Sequence, residues 1–435
     1  MADRSGSPRL PEAPIDRIVA PIERFLHVEA AGGIVLLACT ATALAVANSP
    51  FADAYHHFWE TEIGLTVGAF RLSHSLEHWI NDGLMAIFFF VIGLEVKRDL
   101  VLGELRDPRR AALPVVGAVG GMLVPAAIYL ALQGGTPAAR GWGIPVATDI
   151  AFVVGCMAVL GTRVAPGLRA MLLTLAIADD IGGILVIAFG YSSAIHVRPL
   201  AMAFVDLNVI FVLARAGVRS RAVYAGIGVL VWLAILDSGV HATLAGVVLG
   251  LLTPARPYID PGHGARILRG TLELLSGSSW ATARDRAREI RVLHHAARET
   301  VSPLEYLETT LHPWVAFVVM PLFALANAGV AVHAAALVNP VAMAVALGLV
   351  VGKPLGIVVF GWLGVRTGIA RLPEGVGWRQ MTAGGALAGI GFTMALFVAG
   401  LALDGALLDA AKVGILTGSL VAAMIGMALF RAGSG

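Results

Sequence analysis

Leu172-Leu-Thr-Leu-Ala-Ile-Ala-Asp-Asp-Ile-Gly-Gly-Ile-Leu-Val-Ile187 places two adjacent carboxylates, Asp179 and Asp180, in the middle of an apolar run. An ionisable group at the centre of a membrane helix costs at least ~2.5–3.5 kcal/mol on insertion scales, so it needs a partner or a task. The whole chain supports reading this run as a membrane span. Of its 435 residues, 57% are hydrophobic and only 14% charged, whereas a soluble domain carries about a quarter charged residues. One water-soluble core cannot absorb the difference, because single cores stop growing near ~250–300 residues. Lipid is the second solvent.

About twelve runs are long or apolar enough to be spans, against a requirement of ~20 residues each. They lie near 29–48, 79–97, 111–133, 144–162, 168–190, 197–214, 221–236, 239–252, 312–332, 338–361, 381–402 and 411–431. The expected fold is an all-α polytopic membrane protein with about 12 transmembrane helices, residues 29–435 forming one transmembrane domain. Residues 1–28 carry Arg4, Arg9, Arg17 and Arg24 without the apolar run of a secretory signal, so they read as a short cytoplasmic lead. With that lead inside, 26 of the 31 lysines and arginines fall on the inner side. Arg71, Arg140, Arg198 and Lys412 fall outside, and Lys353 is then the only cation inside a span. This bias is what the positive-inside rule demands, and it sets both termini in the cytoplasm.

Cys39 and Cys156 sit in apolar runs and form neither a disulfide framework nor a metal-ligand pattern. Nothing in the chain calls for a cofactor, and a net charge near zero gives no footprint for nucleic acid. Two connections are long. The outer one, 51–78, includes Trp59-Glu-Thr-Glu-Ile-Gly-Leu-Thr-Val-Gly-Ala-Phe-Arg71, a loose alternation around glycine that suits a β-hairpin on the membrane surface. The cytoplasmic one, 253–311, is arginine-rich and looks helical over 281–300, as a solvated or membrane-skimming segment would.

Neighbouring helical residues point about 100° apart, so Asp179 and Asp180 can flank one cavity without either facing lipid. Two like charges there cannot both stay ionised alone; at least one takes a proton or a small hard cation. That competition is the physical basis of exchange. In Gly143-Ile-Pro-Val-Ala-Thr-Asp-Ile-Ala-Phe152, Pro145, Thr148 and Asp149 interrupt the fourth span. Asp149 can cap a helix start there, and the same break can offer free backbone groups to a cation. A matching interruption, Gly384-Gly-Ala-Leu-Ala-Gly-Ile-Gly-Phe-Thr-Met394, lies in the eleventh span. Each is the middle of a three-span group, which points to inverted repeats with a site between two broken helices. Lys353, in Gly352-Lys-Pro-Leu-Gly356, is far from both loops and calls for a carboxylate partner, with Asp179 or Asp180 the natural choice. A desolvated lysine can give up its proton, whereas an arginine stays charged. Weaker candidates are Asp82, Glu95 beside Lys97 at a cytoplasmic entrance, and His241.

Seven segments occurring in order resemble the signature segments of NhaA-type Na⁺/H⁺ antiporters. They are Gly93-Leu-Glu-Val-Lys-Arg98, Ile144-Pro-Val-Ala-Thr-Asp-Ile-Ala-Phe152, Ala176-Ile-Ala-Asp-Asp-Ile-Gly182, Ser238-Gly-Val-His-Ala-Thr-Leu-Ala-Gly246, Leu311-His-Pro-Trp314, Gly352-Lys-Pro-Leu-Gly356 and Gly389-Ile-Gly-Phe-Thr-Met394. Members of that family are themselves a standard instance of inverted-repeat transporters, so this architecture rests on the resemblance as well as on the pattern. The resemblance implies broken fourth and eleventh helices that cross at mid-membrane. It implies electrogenic exchange of Na⁺ or Li⁺ for protons by alternating access, serving sodium and pH homeostasis. Asp180 and Asp179 are then the cation and proton carboxylates, Thr148 and Asp149 belong to the surroundings of the transported-ion site, and Lys353 pairs with Asp179. Asp149 neutralises the positive helix ends, Glu95 and Glu308 belong to a pH-responsive funnel, and the hairpin in 51–78 makes a homodimer contact. Two departures touch that funnel: a longer connection before Leu311, and Thr309 where the family has histidine.

Other classes fit less well. An intramembrane aspartyl protease calls for Gly-x-Gly-Asp, which is found around neither Asp149 nor Asp179, and metallo- or serine-protease motifs are missing too, so an enzyme is not expected. A proton-coupled carrier of a small organic substrate is the main alternative; it calls for a polar or aromatic cavity where spans four and five offer small apolar neighbours. A passive channel has no need of paired titratable carboxylates.

Overall fold

The computed structural model describes residues 29–67, 70–192, 195–259, 299–332 and 334–432, with isolated positions between 262 and 291. Within these, each of the twelve expected runs contains a helix. α1 is Glu29–Ala47, followed by a short helix α2, Ala52–Glu60. Next come β1, Glu62–Val67, and β2, Phe70–Ser75. Then follow α3, Leu76–Val101, and α4, Pro108–Gln133. A 3₁₀ segment, Pro137–Val146, leads into α5, Ile150–Leu160. The chain continues with α6, Pro166–Gly190; α7, Val197–Arg215; α8, Arg221–Leu236; and α9, Thr243–Leu252. The last third holds α10, Pro303–Asn327, and α11, Pro340–Arg366. It closes with α12, Trp378–Ala388, α13, Phe392–Ala402, and α14, Gly405–Ala432.

Seven of these helices are long and apolar enough to cross a membrane unaided, and three bent pairs bring the number to ten. The shorter apolar helices α8 and α9 are the two runs whose lengths fell below a full span. The chain is thus a multi-pass helical membrane protein.

The two expected breaks are present. The fourth span bends by 41° between Val146 and Ile150, and the eleventh by 48° between Ala388 and Phe392. Pro145 removes a backbone donor just ahead of the first break, and Ala147 and Asp149 adopt extended backbone there. The 3₁₀ approach is fastened from both sides by tyrosines. Tyr129 of α4 donates to the Ala138 carbonyl at 2.8 Å. Tyr191, just beyond α6, accepts from Gly143 N at 3.0 Å and donates to the Arg140 carbonyl at 2.9 Å. Burial pushes the Tyr191 phenol up to about 12, so it stays protonated and remains a donor at any working pH.

The hairpin expected within the outer stretch 51–78 is present, and other expectations need correction. β1 and β2 do pair antiparallel, Glu62 opposite Ser75 through Val67 opposite Phe70. Before them, however, α2 packs Trp59 inward. Lys353 is not the only cation inside a span, because Lys412 lies within α14 and is buried; the apolar helix starts seven residues before it and takes it in. The connection 253–311 is shorter than drawn, since Ser302 and Glu305 form a reciprocal capping box that starts α10 at Pro303. Glu308 is therefore helical. The lead 1–28 and most of 281–300 lie outside the described residues.

Candidate functional site

The two breaks meet. Asp149 N donates to the Ile390 carbonyl at 2.7 Å, joining the interruption of the fourth span directly to that of the eleventh. Each break leaves unpaired helix-end groups in a low-dielectric interior, where an unmet backbone donor or acceptor is costly. Side chains meet that need. The Asp149 carboxylate caps its own half-helix by accepting from Phe152 N at 3.3 Å. Its other oxygen accepts from Thr393 N at 3.1 Å and from the Thr393 hydroxyl, so it also caps α13. One anion thus faces two positive helix ends. From α14, Ser419 Oγ accepts from Phe392 N at 3.1 Å and completes the cap.

Thr148 turns the other way. Its hydroxyl lies 2.6 Å from Asp179 Oδ2 and 3.1 Å from the Ala388 carbonyl. Asp179 and Asp180 stand at mid-length in α6, both buried. Lys353 of α11 is wholly buried and closes on Asp179 Oδ2 at 2.9 Å, while also donating to the Val146 carbonyl at the end of the 3₁₀ segment. Three elements therefore converge on one carboxylate, the fourth span, α6 and α11, and Thr148 links it onward to the break of the eleventh span.

Asp179 Oδ1 is buried with no hydrogen-bond partner among the described residues. A buried carboxylate oxygen left unmet is costly, and the adjacent Asp180 adds a second acceptor of the same sign. Such a pair suits a proton or a small hard cation, since a bare oxygen cluster with one lysine already engaged has room for one more positive charge.

Toward the end of α3 near Val101, Glu308 of α10 is buried and ion-paired with Arg98. Glu95 is half-buried one turn before Arg98, within electrostatic reach of Glu308, Asp99 and Asp180. Glu95 thus stands between Asp180 and the Arg98–Glu308 pair in electrostatic reach, while Glu308 itself meets Arg98. Asp82 is engaged by His78 at 2.9 Å, and His241 Nε2 meets the Tyr191 carbonyl at 2.8 Å. Both are accounted for by local contacts.

Thr148, Asp179, Asp180 and Lys353 are brought together as the sequence suggested. Asp149 adjoins them but spends its oxygens on helix ends. Arg98 was legible only as part of a motif, and its pairing with Glu308 was missed. Ser419 was missed as well, because a lone serine in an apolar helix carries no signal.

A family model described as Na⁺/H⁺ antiporter 1 matches residues 23–430. A protein named Na⁺/H⁺ antiporter NhaA from Rhodopirellula baltica is 54% identical over 420 residues, covering 97% of this chain and 96% of that one. One named Na⁺/H⁺ antiporter NhaA 2 from Acidiphilium cryptum is 50% identical over 435 residues, covering 99% and 97%. Another from Rhizobium meliloti, Na⁺/H⁺ antiporter NhaA, is 48% identical over 418 residues, covering 96% of each chain.

Proposed function

The chain belongs to the Na⁺/H⁺ antiporter 1 family, and from that premise we propose that it exchanges Na⁺ for protons at Asp179 and Asp180. It is a transporter and not an enzyme, and it works in the bacterial inner membrane. The observation that carries the site assignment is the Lys353–Asp179 pair at 2.9 Å, with Asp179 Oδ1 left unmet beside Asp180.

Cytoplasmic Na⁺ reaches the pair past Glu95 and Glu308. As a second positive charge it competes with the protons on the carboxylates and with the Lys353 ammonium for the same oxygens. Na⁺ bound to Asp180 and Asp179 displaces those protons. The half-helices of the fourth and eleventh spans then turn the site outward, Na⁺ leaves, and protons return. Asp149 keeps the crossing neutral through the cycle by holding both helix starts. Thr148 keeps Asp179 oriented. Li⁺, as hard and smaller, takes the same oxygens.

The exchange is electrogenic, with more protons entering than Na⁺ leaving. A potential of 100 mV supplies ~2.3 kcal/mol per net charge moved, enough for roughly a fiftyfold Na⁺ gradient. Such a device serves sodium and pH homeostasis. Both termini lie in the cytoplasm on the strength of the arginine bias, and the β1–β2 hairpin offers a contact to a second copy. A proton-coupled carrier of a small organic substrate is not favoured by relatives named for Na⁺/H⁺ exchange.

Na⁺-evoked collapse of a proton gradient in everted vesicles tests this reading across pH 6.5 to 9. Wild type dissipates the gradient, and an equally well inserted Asp180→Asn does not. Flux that survives in Asp180→Asn removes the carboxylate pair from the mechanism.

A further inference from the structure

The helix of α11 is interrupted by a π turn, Gly348–Gly352, immediately before Lys353. The Lys353 N–H closes that turn by donating to the Gly348 carbonyl five residues back. A π turn adds one residue to the helix, so everything after it is rotated by about 100° relative to an unbroken α-helix. Lys353 is the first residue past that rotation. Wind the same residues into an unbroken α-helix, with none removed, and its side chain swings about 100° away from the Val146 carbonyl and Asp179.

The turn is also seated on both helix breaks. A Cβ on Gly348 would stand 2.6 Å from Pro145 Cβ, so the proline ahead of the first break rests on the turn itself. Leu349 is fully buried. Its carbonyl lies 2.5 Å from where a Cβ on Gly389 would be, and its side chain 2.9 Å from one on Gly391, the two glycines of the second break. At the far end of the turn, a Cβ on Gly352 would meet Pro125 Cα of α4 at 2.8 Å. Glycine at both ends of the turn is what lets the backbones come this close. Two further π turns, Trp79–Leu84 and Val315–Val319, interrupt α3 and α10.

We propose that the π turn Gly348–Gly352 is the positioning element for Lys353: it sets the ammonium in register with Asp179 and ties that register to the two helix breaks. Movement of either break then moves the lysine relative to Asp179. This rests on the reading that the Lys353–Asp179 pair serves the exchange.

The test is a double-mutant cycle between the turn and the lysine. Gly348→Ala displaces the turn without changing helix length, because the added methyl would stand 2.6 Å from Pro145 Cβ. Na⁺-evoked proton flux in vesicles and the thermal unfolding midpoint in detergent are measured for Gly348→Ala, for Lys353→Gln, and for both together. Each single variant is expected to lose at least about tenfold in flux. The double variant should be no worse than either, within about twofold, and Lys353→Gln should shift the melting temperature by less than about 1 °C in the Gly348→Ala background. Losses that multiply, with melting shifts that add, overturn the proposal while leaving the carboxylate site intact. If Gly348→Ala does not insert, Gly352→Ala, whose methyl would meet Pro125 Cα at 2.8 Å, runs the same cycle with the same two outcomes. If Lys353→Gln alone alters neither readout, the lysine pairing fails and the positioning role falls with it.

Discussion

Thr393 contributes both a backbone N–H and a hydroxyl to one oxygen of Asp149. Hydrogen bonds to a charged group in a buried setting are worth about 1.5–3 kcal/mol. Thr393→Val keeps the shape and removes the hydroxyl, so it should lower unfolding stability by that amount and slow exchange, while Thr393→Ser restores both. Equal stability for the valine variant, measured by thermal unfolding in detergent, would mean the backbone donor alone satisfies Asp149. The residue types at this site were legible because charge in an apolar run is costly and therefore conspicuous. Partner choice was not. Glu308 and Arg98 are 210 positions apart in sequence, and nothing in local spacing joins them.

Helix breaks are stabilised by what packs on them. The 3₁₀ segment ahead of Ala147 hangs on Tyr191, whose hydroxyl serves Gly143 N and the Arg140 carbonyl together. Tyr191→Phe strands one buried backbone N–H and one partly buried carbonyl, so a loss of about 1–3 kcal/mol in stability is expected. Because that phenol remains protonated to about 12, the loss should be the same at pH 6.5 and pH 9; a loss confined to one end of that range would contradict it. In the eleventh span, a methyl on Gly389 would come 2.5 Å from the Leu349 carbonyl and 3.0 Å from the Ala386 carbonyl. Backbone cannot yield as a side chain can. Gly389→Ala should therefore cost about 1–3 kcal/mol and reduce Na⁺-driven flux at least about tenfold, with Na⁺/H⁺ exchange in vesicles as the readout. Both breaks could be anticipated from Pro145 and the glycine run. The 3₁₀ form of the first approach could not, because it depends on tyrosines from two other spans.

At the scale of the molecule, the hairpin is the one β element among the described residues, and its cross-strand pairs leave Ile63 exposed. Replacing residues 62–75 by a short flexible linker should convert a dimer to a monomer in light scattering while Na⁺/H⁺ exchange persists in vesicles. Dimers that survive the replacement would place the contact elsewhere. The amino-acid sequence alone determined the helical membrane fold, the apolar runs, the positions of both breaks and the presence of two adjacent carboxylates inside one of those runs. Each of these follows from local hydrophobicity, from proline and glycine, or from the cost of charge in lipid, and none needs a distant partner. Tertiary structure alone decided that Asp149 N bonds Ile390, that Lys353 also donates to the Val146 carbonyl, and that Lys412 is buried. Those outcomes depend on which helix faces meet across hundreds of residues. A π turn adds a further rotation of about 100° that no periodicity in the sequence announces.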